Sequence, residues 1–193
     1  RSHLLAACLA LVSLSAQAGL PIQRWIASNQ AEVLLMESPA LPMVDVQIDF
    51  DAGSRRDPAS QAGLASAVAA MMSKGLRARD GAPALDENAL GEAWADLGAM
   101  LGASAGGDRF SVTLRTLTVP DVLQGALKLA ARQLADPAFA PEVWATERAR
   151  FIASIQEANS RPGTVAQRIY GRAVYGSHPY GQEPQEASLQ AIE

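Results

Sequence analysis

The chain has 193 residues, enough for one domain or for one domain of a longer protein, and 49% of them are hydrophobic. Aromatics are only 5%, so leucine, alanine and valine must fill the core. The net charge of −4 and the lack of any basic stripe argue against a nucleic-acid partner.

In chain order, Leu4 to Leu14 is apolar and is followed by Ser15-Ala16-Gln17-Ala18, a small-x-small cleavage pattern. Residues 1–18 therefore read as a signal peptide, and the expected location is the periplasm or the exterior. The lead of Arg1-Ser2-His3 lacks an initiator Met, so the start of the signal is expected to be missing. Leu5-Ala6-Ala7-Cys8 offers a rival reading as a lipobox, but the apolar run continues past Cys8 instead of preceding it. The run is also shorter than the roughly 20 residues a membrane span needs. Cleavage near Ala18 takes away Arg1, His3 and Cys8. The remainder, 19–193, has no cysteine and one histidine, His178. Disulfides and thiolate catalysis are then excluded, and a zinc site with its usual three protein ligands has little to draw on.

Ile22 to Ala27 and Glu32 to Glu37 are strand-like runs around a turn at Ser28-Asn29-Gln30. Met43 to Phe50 alternates, with Val44, Val46, Ile48 and Phe50 on one face and Asp45, Gln47 and Asp49 on the other. A polar loop, Ala52 to Pro58, leads into Gly63 to Gly75, which reads as one helix of small and apolar residues closed by a left-handed glycine. Asp86 is a candidate N-cap for a helix to Leu97. Phe110 to Leu117 alternates again. Pro120, and then Pro141, opens a helix at its first turn, running to Leu134 and about Ala158. A further helix is expected around Thr164 to Val174, and Ala187 to Glu193 begins another that the chain does not finish. Strands, helices, strand, helices is an α+β order, with a mostly antiparallel sheet packed against helices.

Four isolated signals weigh little. Gly102-Ala103-Ser104-Ala105-Gly106 matches a hydrolase nucleophile elbow in letters, but that motif needs a strand before it and a helix after it, so it reads as a flexible small-residue turn. His178, beside Pro179, reads as a structural hydrogen-bonding residue. Glu147, Arg148, Arg150 and Glu157 read as a solvated helix face, and Trp25, Trp94 and Trp144 as core or interface.

Three segments in order carry a resemblance. They are Asp51-Ala52-Gly53-Ser54-Arg55 with Gly63-Leu64-Ala65 and Met71-x-x-Lys74-Gly75; Leu101 to Ser104 with Asp108-Arg109 and Ser111-x-x-Leu114-Arg115; and Tyr175-Gly176-Ser177-His178-Pro179-Tyr180-Gly181. Together they resemble the M16 (insulinase/pitrilysin-type) zinc peptidases over roughly Glu32 to Glu193. The resemblance implies an N-terminal M16 metallopeptidase-like domain, truncated at its C-terminal end. It also implies that Ser66, Ala69 and Ala70 stand where active members carry the His, Glu and His of their inverted zinc motif. Placing Glu147-Arg148 on the family's Glu-Arg puts the last ligand position at Ser154, or at Glu157 if the register slips.

Small residues at those positions are expected to leave a shallow apolar cleft where metal sits in active members. With no ligand and no general base, no metal-bound water is activated, so no catalytic residue, metal ligand or cofactor is expected in this chain. The implied role is the non-catalytic partner of a homologous M16 subunit that carries the zinc and degrades peptides. The strand around Ala103 to Leu114, with Ala103, Ser104 and Ala105 at its start, is the candidate for pairing with an extended peptide. The alternatives are a stand-alone periplasmic peptide-binding scaffold and, less favoured, an active metallopeptidase with unusual ligands.

Overall fold

The computed structural model describes residues 21–193, and the expected signal peptide lies outside the described residues. The chain divides into two compact units, one ending at Leu41 and the other running from Pro42 to Glu193. In the first, β1 (Ile22–Ile26) and β2 (Glu32–Met36) form an antiparallel hairpin with Ile22 opposite Met36. Its turn falls at Ser28-Asn29-Gln30, where Gln30 takes a φ of 67°. Trp25 is 45% exposed there, so it is not a core residue.

The second unit is a three-stranded antiparallel sheet with helices against one face. Its strands are β3 (Met43–Phe50), β4 (Met100–Ala105) and β5 (Phe110–Leu117), in the order β3-β5-β4. Six helices accompany them among the described residues: α1 (Leu64–Met71), α2 (Glu87–Asp96), α3 (Pro120–Ala135), α4 (Pro141–Asn159), α5 (Pro162–Tyr175) and α6 (Glu186–Gln190). The α+β class with an antiparallel sheet is the one the sequence predicts.

The period-2 patterns set the sheet's sides. Phe110, Val112, Leu114 and Thr116 of the central strand β5 are buried under the helices. On the other face, Arg115 forks onto the Asp45 carboxylate at 2.6 and 2.9 Å, and Asp49 accepts from Ser111 at 2.6 Å and pairs with Arg109 at 3.2 Å. These partners hold both carboxyls below the usual aspartate range. The Arg115 hydrogen bond is the main cause for Asp45, and the Ser111 hydroxyl for Asp49.

Two expectations about elements are corrected. Gly102 to Gly106 is not a small-residue turn: most of it is strand β4, and the chain reverses at Gly106–Arg109. What read as one strand from Ala103 to Leu114 is therefore a hairpin of two. Alanine and glycine hide the period-2 signal of β4, because side chains so small differ little in hydropathy from one face to the other. The helix expected over Gly63 to Gly75 is shorter, ending at Met71. Beyond it Gly75 has a φ of 121°, and Leu76 bridges to Leu85 and Pro137, so tertiary pairing stops the helix before its glycine cap.

The core has three parts, and α1 joins two of them. Leu76, Leu90, Trp94, Leu114, Ala126 and Ala130 fill the space under α2 and α3. Met72, Phe110 and Val112, with Val68, Ala69, Leu101, Ala103 and Ala105, join α1 to the sheet. Ala67, Met71, Trp144, Leu189 and Ile192 join α1 to α4 and the C-terminal segment. A helix packed on both sides must be slender at each contact, which is why alanine fills so much of α1.

Candidate functional site

Helix α1 carries Ser66, Ala69 and Ala70, the positions that the sequence resemblance singles out, and two side-chain hydrogen bonds hold its start. Gly63 precedes the helix in the left-handed region, at a φ of 101°. The buried carboxylate of Asp57 accepts from the backbone amides of Gly63 at 2.9 Å and Ala65 at 3.0 Å, satisfying two donors that a helix start leaves open. The turn carrying Asp57 is seated on the β4–β5 hairpin: the amides of Ser54 and Arg55 donate to the carbonyls of Gly106 and Gly107 at 2.9 and 3.0 Å. Gly53 has to be glycine for that approach, since a Cβ there would lie 2.4 Å from the Arg109 nitrogen. Gly53 is visible in the sequence within the Asp51 to Arg55 segment, but its contact with Gly107 to Arg109 is not, and nothing in the sequence marks Asp57 as the cap of α1.

Ser66, Ala69 and Ala70 are half-buried on α1, and the Ala69 methyl packs in the sheet-side cluster with Leu101, Ala103 and Ala105 of β4. Ser154 is exposed on α4, beside Ile155, Ala158, Thr164 and Arg168 in an open groove. Two methyl groups and two neutral hydroxyls make a poor donor set for zinc, which takes imidazole, thiolate or carboxylate. Among the described residues, no three His, Cys, Asp or Glu side chains come together as a metal-binding group. These residues do not fit the metal, and no hydrolytic step runs through them.

The apolar cleft against α1 is not where the sequence places it. A cavity of about 500 Å³ lies along Leu64, Ala67, Val68 and Met71, closed by Phe139, Pro141, Trp144 and Ile192. It follows a different helical face from Ser66, Ala69 and Ala70, because Ala69 has closed onto the sheet.

Glu147 also departs from its expectation as a solvated charge. Its side chain is 12% exposed and pairs with Lys74 at 3.2 Å and Arg150 at 2.7 Å. Lys74 in turn reaches Glu87 at 2.7 Å, and that hydrogen bond, with a further one from Glu147, holds the lysine above its ordinary value against the opposing cost of burial. Arg148 lies over the Trp144 ring at 5.9 Å.

Ala103, Ser104 and Ala105 occupy the strand β4, which pairs with β5 on one side and stands at the edge of the sheet among the described residues. Ala103 and Ala105 turn inward toward α1, while Ser104 is exposed. Side chains this small leave the backbone of the edge uncovered. An extended segment could pair there through main-chain hydrogen bonds alone.

His178 takes the structural part expected of it: its Nδ1 accepts from the backbone amide of Tyr180 at 3.2 Å.

With this geometry in place, the comparisons assign the family. The model of the insulinase family, peptidase family M16, matches residues 32–185, and the chain belongs to that family. Among solved structures, the chain is similar to a peptidase M16 inactive domain from Pseudomonas fluorescens, with 29% identity and a TM-score of 0.78 over 89% of this chain and 42% of that one. The periplasmic protease PqqL from Escherichia coli shares the fold at 17% identity and a TM-score of 0.73, over 92% of this chain and 19% of PqqL. A protease from Helicobacter pylori does so at 16% and 0.72, over 91% of this chain and 41% of that one. The chain thus spans less than half the length of each of these structures. No functionally curated protein matches it.

Proposed function

We propose that the chain is the N-terminal part of an exported, catalytically silent M16 subunit that acts beside a zinc-bearing homologue in peptide degradation. The observation that carries this is the filling of the motif positions by Ser66, Ala69 and Ala70, with Ala69 built into the contact between α1 and β4. A site that had only lost its metal would keep the imidazoles and the carboxylate; here their space serves packing. The similarity to a Pseudomonas fluorescens domain described as inactive supports the same reading. The edge of β4, at Ala103 to Ala105, is then the surface that aligns an extended peptide while the partner supplies the metal, a division between positioning and chemistry.

Co-expression with a homologue carrying an intact His-x-x-Glu-His motif tests this. The two products are expected to co-purify, and peptide cleavage by the pair is expected to exceed that of the zinc-bearing subunit alone. Failure to co-purify, or cleavage unchanged by this chain, would sink the partner role. Binding of an extended peptide with no partner present would then favour the scaffold reading.

A further inference from the structure

The segment Tyr175 to Gly181 contains the one histidine of the described residues, and the family function leaves it unused. After α5, Pro179–Gly181 forms a single 3-10 turn whose N-cap is the His178 side chain. The Tyr180 amide donates to Nδ1 at 3.2 Å, an acceptor role that an imidazole fills with its proton on Nε2. The His178 and Tyr180 rings meet edge to face at 4.7 Å, and the Tyr175 ring lies 5.9 Å from Tyr180 and 6.4 Å from His178, so the three rings cluster. From this turn the Tyr180 hydroxyl donates to Asp108 at 2.6 Å, at the tip of the β4–β5 hairpin. Asp108 also pairs with Arg55 at 3.0 Å, and Arg55 with Asp51 at 2.6 Å. One tyrosine thus connects a histidine-capped turn to the hairpin that begins with the edge strand.

We propose that His178 is a pH-sensitive latch on the β4–β5 hairpin: protonation removes the acceptor for the Tyr180 amide, the turn loosens, and Tyr180 releases Asp108. A protonated imidazole carries hydrogen on both nitrogens, so Nδ1 would face the Tyr180 N–H donor to donor. The ring must then swing, and Tyr180 packs against it. The other ionisable groups around the turn are Asp108 on the hairpin, Arg55 and Arg56 with their partner Asp51, Tyr175 and Arg172 on α5, and Glu183 just after the turn, paired with Arg168 of α5. Histidine is the one side-chain type here that ordinarily changes charge between pH 5 and 8. Any effect on peptide pairing at β4 rests on the proposed function; the response of the latch does not.

Amide hydrogen exchange and ¹H–¹⁵N spectra of the full chain, recorded from pH 8 to pH 5, test it. After correction for intrinsic exchange, the Tyr180 amide is expected to lose about fivefold in protection, as for one hydrogen bond. The Gly107 and Asp108 amide shifts are expected to move with the same midpoint as the His178 ring protons. His178→Asn, which keeps an acceptor that does not titrate, is expected to abolish all these responses. Tyr180→Phe is expected to leave the Tyr180-position amide titrating while Gly107 and Asp108 fall silent. The latch is overturned if Gly107 and Asp108 stay still while His178 titrates, or if their response survives in His178→Asn.

Discussion

At the scale of single residues, two small side chains decide how α1 sits. Ala69 and Asp57 are 12 positions apart in number but serve the same helix: one methyl closes α1 onto β4, and one carboxylate opens α1 with two hydrogen bonds of ordinary length. Asp57 is buried, so truncating it leaves two backbone donors without a partner in a place water hardly reaches. Asp57→Ala is expected to cost about 2–3 kcal/mol, seen as a lower urea midpoint with an unchanged slope, and Asp57→Asn about half as much. The residue types at 66, 69 and 70 can be read directly from the sequence, and the proposed loss of the zinc motif rests on them. The role of Asp57 cannot be read there, because its capping function depends on a loop whose path is set by the hairpin at Gly106 and Gly107. Gly53 is similar: the letter is visible, but the backbone it must approach is more than 50 positions away.

At the scale of elements, the alternating strands β3 and β5 and the proline-opened helices α3 and α4 lie where their patterns place them, because large apolar side chains alternate with polar ones and the first helical turn tolerates proline. Strand β4 and the true end of α1 are decided by tertiary pairing and leave little local signal. The Lys74 cluster shows how elements are tied: it joins the residues after α1 to the start of α2 and to the middle of α4. The lysine's folded value is raised, so the stability it contributes is fully present below the unfolded value, about pH 10.4, and is lost as pH rises through the higher folded one. Lys74→Met is expected to lower stability by about 1–2 kcal/mol at pH 7. In thermal unfolding the two proteins' melting temperatures are expected to converge as pH is raised through that range. A gap that stays constant while the lysine loses its proton would show that the packing of the stem, and not the charge, is what Lys74 contributes.

At the scale of the whole molecule, the described fold holds together through apolar packing and buried hydrogen bonds among its helices, and among the described residues no three His, Cys, Asp or Glu side chains come together to bind a metal. Chelation is therefore expected to leave the melting temperature of the purified chain unchanged, and zinc measured by elemental analysis is expected well below one equivalent. A chelator-dependent drop with stoichiometric zinc would overturn the reading of α1. No helix among the described residues is long and apolar enough to cross a membrane. The supports beneath α1 also bear on how the chain reaches this state. The Ser188 hydroxyl donates to the Ala62 carbonyl, Gln61 to that of Ala191, and Gln182 to that of Asp57, spanning 126, 130 and 125 positions. Closing loops of that length costs about 4 kcal/mol of chain entropy before any contact repays it. Contacts this distant in sequence slow folding. During synthesis the entrance to α1 can take its Asp57 cap and its seat on the β4–β5 hairpin first, and it gains these three further hydrogen bonds only once residues 182–191 have left the ribosome.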